Sequence, residues 1–263
     1  MADPFPRRPF EGRVALVTGA SRRGGIGFAV ARRLALGGAA VLLHAFSSYD
    51  EGQRWHEPGG AEACATDLAS AGADVELVEA DLADPVAAPA LVARAHDRFG
   101  ALDLLVANHT HWCGGSIVDL AVDSLDRHYA VIVRASLLLV KEMAQRRPEG
   151  PGGRVVLFSS GQHLGAMPGE IAYVASKGAL VQAVPTLSHE LVGRGITVNA
   201  VNPGPNDTGW ISEAFRPNLL DRSPQGRIGT PEDTANLVAF LCSEQGGWVT
   251  GQVIDSEGGF RRV

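Results

Sequence analysis

The amino-acid sequence predicts a single α/β domain built on a doubly wound parallel sheet with helices on both faces. Three observations carry this prediction. Short β-branched apolar runs alternate with longer amphipathic stretches, and most runs are apolar almost throughout, as in strands covered on both sides. A glycine-rich turn separates the first run from the first helical pattern. With 263 residues, 45% of them hydrophobic, the chain has enough apolar material for one large core.

The apolar runs predict about seven strands, which makes the expected architecture Rossmann-like. They span residues 14–18, 40–45, 74–79, 102–107, 154–158, 197–201 and 252–255. Helical patterns fill the intervals, and the two long ones cover residues 125–144 and 173–194. Residues 1–11 form a polar, proline-rich tail. Two irregular stretches, 47–60 and 203–227, are long enough to be functional, and we expect 203–227 to be a substrate lid.

Composition excludes several classes of function. The net charge is −6 with acids and bases interspersed, so no basic face is expected for nucleic acid. No stretch approaches the roughly 18 apolar residues that a membrane span needs, and the N-terminus has no secretory signal pattern, which predicts a cytoplasmic protein. Cys64, Cys113 and Cys242 are too far apart for a disulfide framework or a paired zinc pattern and are expected to be free.

The glycine-rich turn predicts a phosphate-binding site. Residues 18–27 follow the first strand and open the first helix, where glycines let the backbone approach a pyrophosphate and the helix N-terminus offers free N–H groups. The predicted cofactor contacts here are Gly19, Ser21, Arg22, Arg23, Gly25, Ile26 and Gly27.

The end of the second strand favours NADP(H) over NAD(H). NAD-binding sheets of this kind place a carboxylate there for the ribose hydroxyls, whereas this strand ends in Ala45 and continues to Ser47. Arg22 and Arg23 stand in the adjacent turn, where a guanidinium could hold the 2′-phosphate. Asp50 or Glu51 folding back would complicate this choice.

A proton-transfer group is predicted from three side chains. Tyr173 and Lys177 lie four residues apart on a predicted helix and therefore share a face. An ammonium near the phenol favours the phenolate, and lowering its pKa from about 10 to near 7 takes about 4 kcal/mol. Ser160 ends the fifth strand, where its hydroxyl could orient a substrate oxygen.

Together these motifs resemble a classical short-chain dehydrogenase/reductase, similar to the 3-oxoacyl-carrier-protein-reductase-like subgroup, over residues 12–260. The resemblance implies hydride transfer at the nicotinamide with Ser160, Tyr173 and Lys177 as catalytic residues and Lys177 also holding the ribose. It implies a homo-oligomer, a tetramer or dimer, with a small-molecule substrate. Further cofactor contacts implied by the matching motifs are Asp81 and Leu82 at adenine, Asn108, and Pro203, Gly204 and Thr208 at the carboxamide.

Two positions depart from the family pattern. The Asn-Asn-Ala-Gly motif is reduced to Asn108 within residues 107–110, and Ile132 stands where most members carry a fourth catalytic residue, an Asn. An Ile side chain cannot relay a proton. Another group completes the relay, or turnover is slow, or the substrate provides its own proton route. We expect Ile132→Asn to preserve or raise turnover.

The substrate side is predicted from side chains after the fourth, fifth and sixth strands, which should meet at the C-terminal edge of the sheet. These are His109, His111, Trp112, His163, Met167 and Trp210. The spacing of His109, His111 and Cys113 matches no closed zinc site, so we predict no metal. His163 or His111 is the candidate for the missing relay.

The leading hypothesis is an NADP(H)-dependent reductase of a ketone, β-ketoacyl or imine-type substrate. The alternative is a non-catalytic dinucleotide-binding sensor or partner subunit, which Ile132 keeps open and the intact Ser160, Tyr173 and Lys177 oppose.

Overall fold

The structure is a computed structural model that describes residues 8–261. Within this range the chain forms a seven-stranded parallel sheet in the order β3-β2-β1-β4-β5-β6-β7, which confirms the predicted Rossmann-like fold. The strands are β1 Val14–Thr18, β2 Ala40–Ala45, β3 Val75–Glu79, β4 Leu104–Ala107, β5 Gly153–Phe158, β6 Ile196–Asn202 and β7 Val253–Asp255. All seven lie within two residues of their predicted ends.

Helices cover both faces of the sheet. They are α1 Ile26–Leu36, α2 Ser47–Asp50, α3 Gly60–Ser70, α4 Ala87–Phe99, α5 Val122–His128, α6 Ala135–Arg146, α7 Ile171–Leu191, α8 Arg216–Asp221 and α9 Pro231–Cys242. Apolar residues of α1, α3 and α9 form one core with one face of the strands, and those of α4, α6 and α7 form a second core on the other face. Both faces of the five inner strands are therefore buried, which is why their sequences are apolar almost throughout, whereas the edge strands β3 and β7 are only partly buried.

The strand order reverses between β1 and the central strand of the sheet, β4. Chain connections leave β1 and β4 toward opposite faces, so a crevice opens beyond their carboxyl ends. The glycine-rich turn after β1 and the segment after β4 both lie at this crevice, and β5 and β6 bring their own ends beside it. The fold thus gathers the predicted site residues at one edge.

The single helix predicted over 125–144 is interrupted. A π-helical segment, Tyr129–Arg134, joins α5 to α6 and carries Ile132 at its centre. The imidazole of His109 bonds the Val131 carbonyl at 2.9 Å, and the Ser136 hydroxyl donates to the Ile132 carbonyl at 2.7 Å. Side chains that occupy helix carbonyls in this way compete with the regular i→i+4 ladder, which gives a physical reason for the widened turn.

The predicted lid, 203–227, contains the short helix α8, which the sequence pattern did not predict. Ile211 and Leu219 are buried in a small separate apolar cluster with Ile228, which anchors the segment beside the crevice. Of the predicted tail, residues 1–7 lie outside the described residues. Phe10 is buried in the core, so the end of that predicted tail belongs to the folded domain.

In the described part of the chain, no helix combines the length and apolarity needed to cross a bilayer. The three cysteines are free thiols, with Cys64 and Cys242 buried and Cys113 half-buried.

Candidate active site

The turn after β1 has the backbone geometry of a phosphate cradle. Gly19 has φ +68°, a conformation that L side chains rarely adopt, and Gly25 is the N-cap of α1. A Cβ at Gly27 would lie 2.3 Å from the Gly19 carbonyl oxygen, so only glycine allows α1 to approach the turn this closely. The first N–H groups of α1 therefore face the crevice beside the turn, where the helix dipole favours an anion.

Two side chains from neighbouring strands brace this turn. The Asn108 amide donates to the carbonyls of Thr18 at 3.2 Å and Gly19 at 2.9 Å, and the Gly19 N–H donates to Nδ1 of buried His44 at 3.3 Å. His44 in turn donates from Nε2 to the Ala80 carbonyl at 3.0 Å. Asn108 thus fixes the turn from β4 and His44 from β2, so the predicted cofactor residue Asn108 has a clear structural role.

The two arginines of the turn diverge. Arg22 lines the cavity, donates to the Thr208 carbonyl at 2.8 Å, and lies 5.8 Å from the Trp55 ring centroid. Arg23 turns outward and pairs with Asp67 at 2.6 Å and Glu57 at 3.4 Å, so the structure does not bring it to the cavity. Burial lowers the pKa of Arg22, with partial compensation from Asp50.

The sequence also predicts Ser47 as a cofactor contact, and in the structure its polar groups bond a residue of a neighbouring strand. Both its N–H, at 2.9 Å, and its hydroxyl, at 2.5 Å, donate to the Glu79 carboxylate at the end of β3. Asp50 does fold back as the sequence left open, since it lines the cavity and accepts a hydrogen bond from the Ser21 hydroxyl. Arg22 and Asp50 therefore bring opposite charges to the cavity wall beside the turn.

Tyr173 and Lys177 lie on one face of α7, as predicted. Tyr173 reaches the cavity, and its hydroxyl interacts with the hydroxyls of Ser160 and Thr110. Lys177 is buried behind it, with its Nζ 5.7 Å from the Tyr173 ring centroid and 2.8 Å from the Phe158 carbonyl, to which it donates. The side chains of Tyr173, Ser160 and Lys177 therefore meet where β5 ends and α7 begins.

The direction expected for the Tyr173 pKa is wrong in this structure. Burial raises the pKa of Tyr173 to about 12, and hydrogen bonding to Ser160 opposes this only in part. Burial also lowers the pKa of Lys177 to about 7, so that at neutral pH its charge, and with it the attraction for a phenolate, is reduced. The neutral phenol is therefore the favoured form, which suits a group that donates a proton.

The two departures from the family pattern lie together. Ile132 is buried in the core beneath the sheet, and His109 reaches across from β4 to the adjacent Val131 carbonyl. Because a carbonyl only accepts, the His109 Nε2 carries the proton, and Nδ1 accepts from the Thr18 hydroxyl at 2.7 Å. Burial lowers the pKa of His109 to about 3. His109 is thus a neutral structural link between β1, β4 and the π-helical segment.

The cavity above these groups has a volume of about 1200 Å³, enough for a dinucleotide and a second molecule. The predicted residues that line it on the cofactor side are Gly19, Ser21, Arg22, Gly25, Ile26, Asp81, Leu82, Asn108, Pro203, Gly204 and Thr208. On the substrate side they are His109, His111, Trp112, Met167 and Trp210. His163 is not among the lining residues, because its Nε2 lies 3.0 Å from Asp255. The structure therefore gives His163 no position from which to relay a proton to Tyr173.

The structure also adds residues that the sequence did not single out. Arg127 pairs with Asp81 at 3.0 Å on the cavity wall, and Arg54 donates to the Trp210 carbonyl of the lid segment. Arg54 and Trp55 come from the irregular stretch 47–60, whose length was the available signal. His128, the last residue of α5, lies with its ring centroid 4.7 Å from that of His111. His128 lies too far from His111 along the sequence for any motif spacing to link the two.

Comparison with known proteins agrees with this geometry. The family model described as Enoyl-(Acyl carrier protein) reductase matches residues 19–261. The chain is 41% identical over 252 residues to the uncharacterized oxidoreductase YjdA of Bacillus subtilis, covering 95% of this chain and 97% of that protein. It is 34% identical over 262 residues to the NADPH-dependent aldehyde reductase-like protein, chloroplastic, of Arabidopsis thaliana, covering 97% of this chain and 96% of that one.

A solved structure shows the same likeness. The crystal structure of a short chain dehydrogenase from Burkholderia cenocepacia J2315 in complex with NADP superposes with a TM-score of 0.85 at 35% identity, covering 95% of this chain and 98% of that one. Family model, sequence relatives and structure agree over nearly the whole length. The chain therefore belongs to the short-chain dehydrogenase/reductase family of oxidoreductases.

Proposed function

We propose that this protein is an NADP(H)-dependent reductase of a ketone, β-ketoacyl or imine-type substrate, with Tyr173 as the proton donor. One observation carries the proposal: the Tyr173 phenol, beside Ser160 and above Lys177, opens into the same cavity as the glycine turn. Two similar proteins are named for this coenzyme, the NADPH-dependent aldehyde reductase-like protein and the dehydrogenase in complex with NADP.

The residues present fit the coenzyme. The left-handed Gly19, the N-terminus of α1 and the Arg22 guanidinium would hold its phosphates, and Asp81 with Leu82 would line the adenine. Pro203, Gly204 and Thr208 would border the nicotinamide end. NADPH, when bound, supplies the hydride.

Side chains of the protein supply the proton that the substrate oxygen receives. Ser160 holds the substrate oxygen by its hydroxyl, and Tyr173, neutral because burial raises its pKa, gives that oxygen a proton. Lys177 in its protonated form stabilises the phenolate that remains, and the Phe158 carbonyl fixes the position of the Lys177 Nζ. Aromatic walls from Trp112 and Trp210 favour a ring-bearing or apolar carbonyl compound.

The coenzyme part is tested with matched variants of the two turn arginines. Arg22 lies on the cavity wall and Arg23 is paired at the surface, so Arg22→Ala should lower kcat/KM for NADPH by about tenfold or more, the effect of losing about 1.4 kcal/mol. Arg23→Ala should leave it nearly unchanged. Wild-type efficiency with NADH about tenfold above that with NADPH would overturn the assignment.

The reaction is tested by NADPH oxidation with a panel of aldehydes, cyclic and aromatic ketones, and β-ketoacyl thioesters. Turnover of at least one carbonyl class supports the reductase. Tight NADPH binding without turnover on any member would favour a non-catalytic dinucleotide-binding protein, the reading that Ile132 keeps open.

A further inference from the structure

Three potential metal ligands meet beside the catalytic tyrosine, and one of them, His111, lines the cavity. His111, Cys113 and His128 offer ring nitrogens and a thiol whose ligand atoms all lie within 4.8 Å of one another. His111 and Cys113 come from the segment after β4, and His128 from the end of α5. The His128 ring centroid is 6.5 Å from that of Tyr173. None of the three has a role in the proton transfer described above.

The hydrogen bonds of His128 leave one nitrogen prepared for a ligand. Its Nδ1 lies 2.7 Å from the Ser124 carbonyl, which can only accept, so Nδ1 carries the proton and Nε2 carries a lone pair. Nε2 receives only a long contact of 3.4 Å from the Cys113 N–H. A histidine held through one nitrogen by a backbone carbonyl, with the other free, is the usual arrangement of a metal-binding imidazole.

The other two groups are equally uncommitted. The His111 Nδ1 is buried without a hydrogen-bond partner among the described residues, a costly situation for a polar atom. The Cys113 sulfur is half-buried and makes one weak contact, 3.3 Å from the Ser124 hydroxyl.

We propose that His111, Cys113 and His128 bind a Zn²⁺ ion at the cavity wall. Two imidazoles and a thiolate are ligands for zinc rather than for magnesium or calcium. Tetrahedral bonds of about 2.0–2.3 Å place ligand atoms about 3.3–3.8 Å apart, so the widest pair would close by about 1 Å. The Cys113 thiol releases its proton to solvent on binding.

The proposed site has three protein ligands and one open position. His111 lines the cavity, so the fourth position faces the space where substrate is expected. Water or a substrate heteroatom would occupy it, as in zinc sites that keep an open coordination position. The proposal is independent of the reductase assignment, because metal binding is measured without coenzyme or substrate.

The test uses the full-length chain, purified without a polyhistidine tag, stripped with EDTA and titrated with Co²⁺ and then Zn²⁺. We expect one Co²⁺ per chain, a thiolate-to-cobalt charge-transfer band, and displacement by Zn²⁺. Cys113→Ser should abolish the band and weaken Zn²⁺ binding by at least about 10–100-fold, the loss typical even for outer-shell partners. His128→Asn should weaken binding similarly. His189→Gln, an exposed histidine outside the cluster, is the matched control.

Circular dichroism and NADPH binding report whether each variant is folded. If the buried His128→Asn variant does not fold, the half-buried Cys113→Ser variant decides the question alone. Absence of saturable Co²⁺ binding, a spectrum without the thiolate band, or equal Zn²⁺ affinity in wild type and Cys113→Ser would each overturn the proposal. None of these three outcomes changes the NADPH turnover assay. A failure of the zinc proposal can therefore be told apart from a failure of the reductase assignment.

Discussion

Acid should destabilise this protein through His44 and His109, two buried histidines whose pKa values burial lowers. Burial lowers the pKa of His44 to about 4 and that of His109 to about 3, against about 6.5 in an unfolded chain. In both histidines the pKa of the folded state lies below that of the unfolded state. Below pH 6.5 the unfolded state therefore binds protons that the native state does not bind. Stability is therefore complete above pH 6.5 and falls as the pH drops toward about 4.

The size of the effect follows from these values. Between pH 7 and pH 5 each histidine lowers the free energy of unfolding by about 2 kcal/mol, so the two together lower it by about 4 kcal/mol. That is a large share of the 5–15 kcal/mol of a typical domain. His44 also accepts the Gly19 N–H, and its protonated ring cannot do so, so NADPH affinity of the folded protein should fall only near pH 4, where the folded ring takes up a proton.

The assay is urea unfolding followed by tryptophan fluorescence at pH 7, 6 and 5, at one protein concentration. In His44→Gln the amide keeps a donor for the Ala80 carbonyl but does not titrate. Between pH 7 and pH 5 its free energy of unfolding should fall by about 2 kcal/mol less than that of wild type. Exposed His189→Gln should match wild type. An equal pH 7 to 5 loss in His44→Gln and wild type would refute the reasoning.

Three further predictions follow from local geometry. Gly27→Ala should abolish tight NADPH binding, because its Cβ would lie 2.3 Å from the Gly19 carbonyl, whereas Gly24→Ala, with nothing within 4 Å, should bind normally; isothermal titration compares them. Ile132→Asn should lower unfolding stability by about 2–4 kcal/mol, since the amide replaces a core side chain, while turnover per folded molecule is preserved or raised. Limited proteolysis should cut the segment 203–227 and be suppressed by NADPH; equal cutting with and without it would contradict the lid.

The fold could be predicted because its signals are local. Buried parallel strands are apolar on both faces, and the turn at Gly19 needs glycine whatever lies elsewhere in the chain. The pairing of Tyr173 with Lys177 was likewise readable from helical spacing. These features require only the order of residues along one or two elements.

The features of the site that the sequence does not predict depend on contacts between segments that are distant along the chain. Arg23 points outward because it pairs with Asp67, and the Ser47 hydroxyl donates to Glu79 of a neighbouring strand. Neither contact can be read from the order of residues. The raised pKa of Tyr173 reflects burial, which the sequence does not report residue by residue. His128 could not be linked to His111 because only the packing of α5 against the segment after β4 brings them together.

The most direct test of the central claim is Tyr173→Phe. The phenyl ring keeps the packing of Tyr173 while removing the hydroxyl that interacts with Ser160 and Thr110. We predict that NADPH affinity, measured by fluorescence titration, stays within about twofold while turnover of the best carbonyl substrate falls by roughly 10²–10⁴, the usual contribution of a positioned proton donor. A variant that binds NADPH and keeps wild-type turnover would show that Tyr173 does not carry the proton.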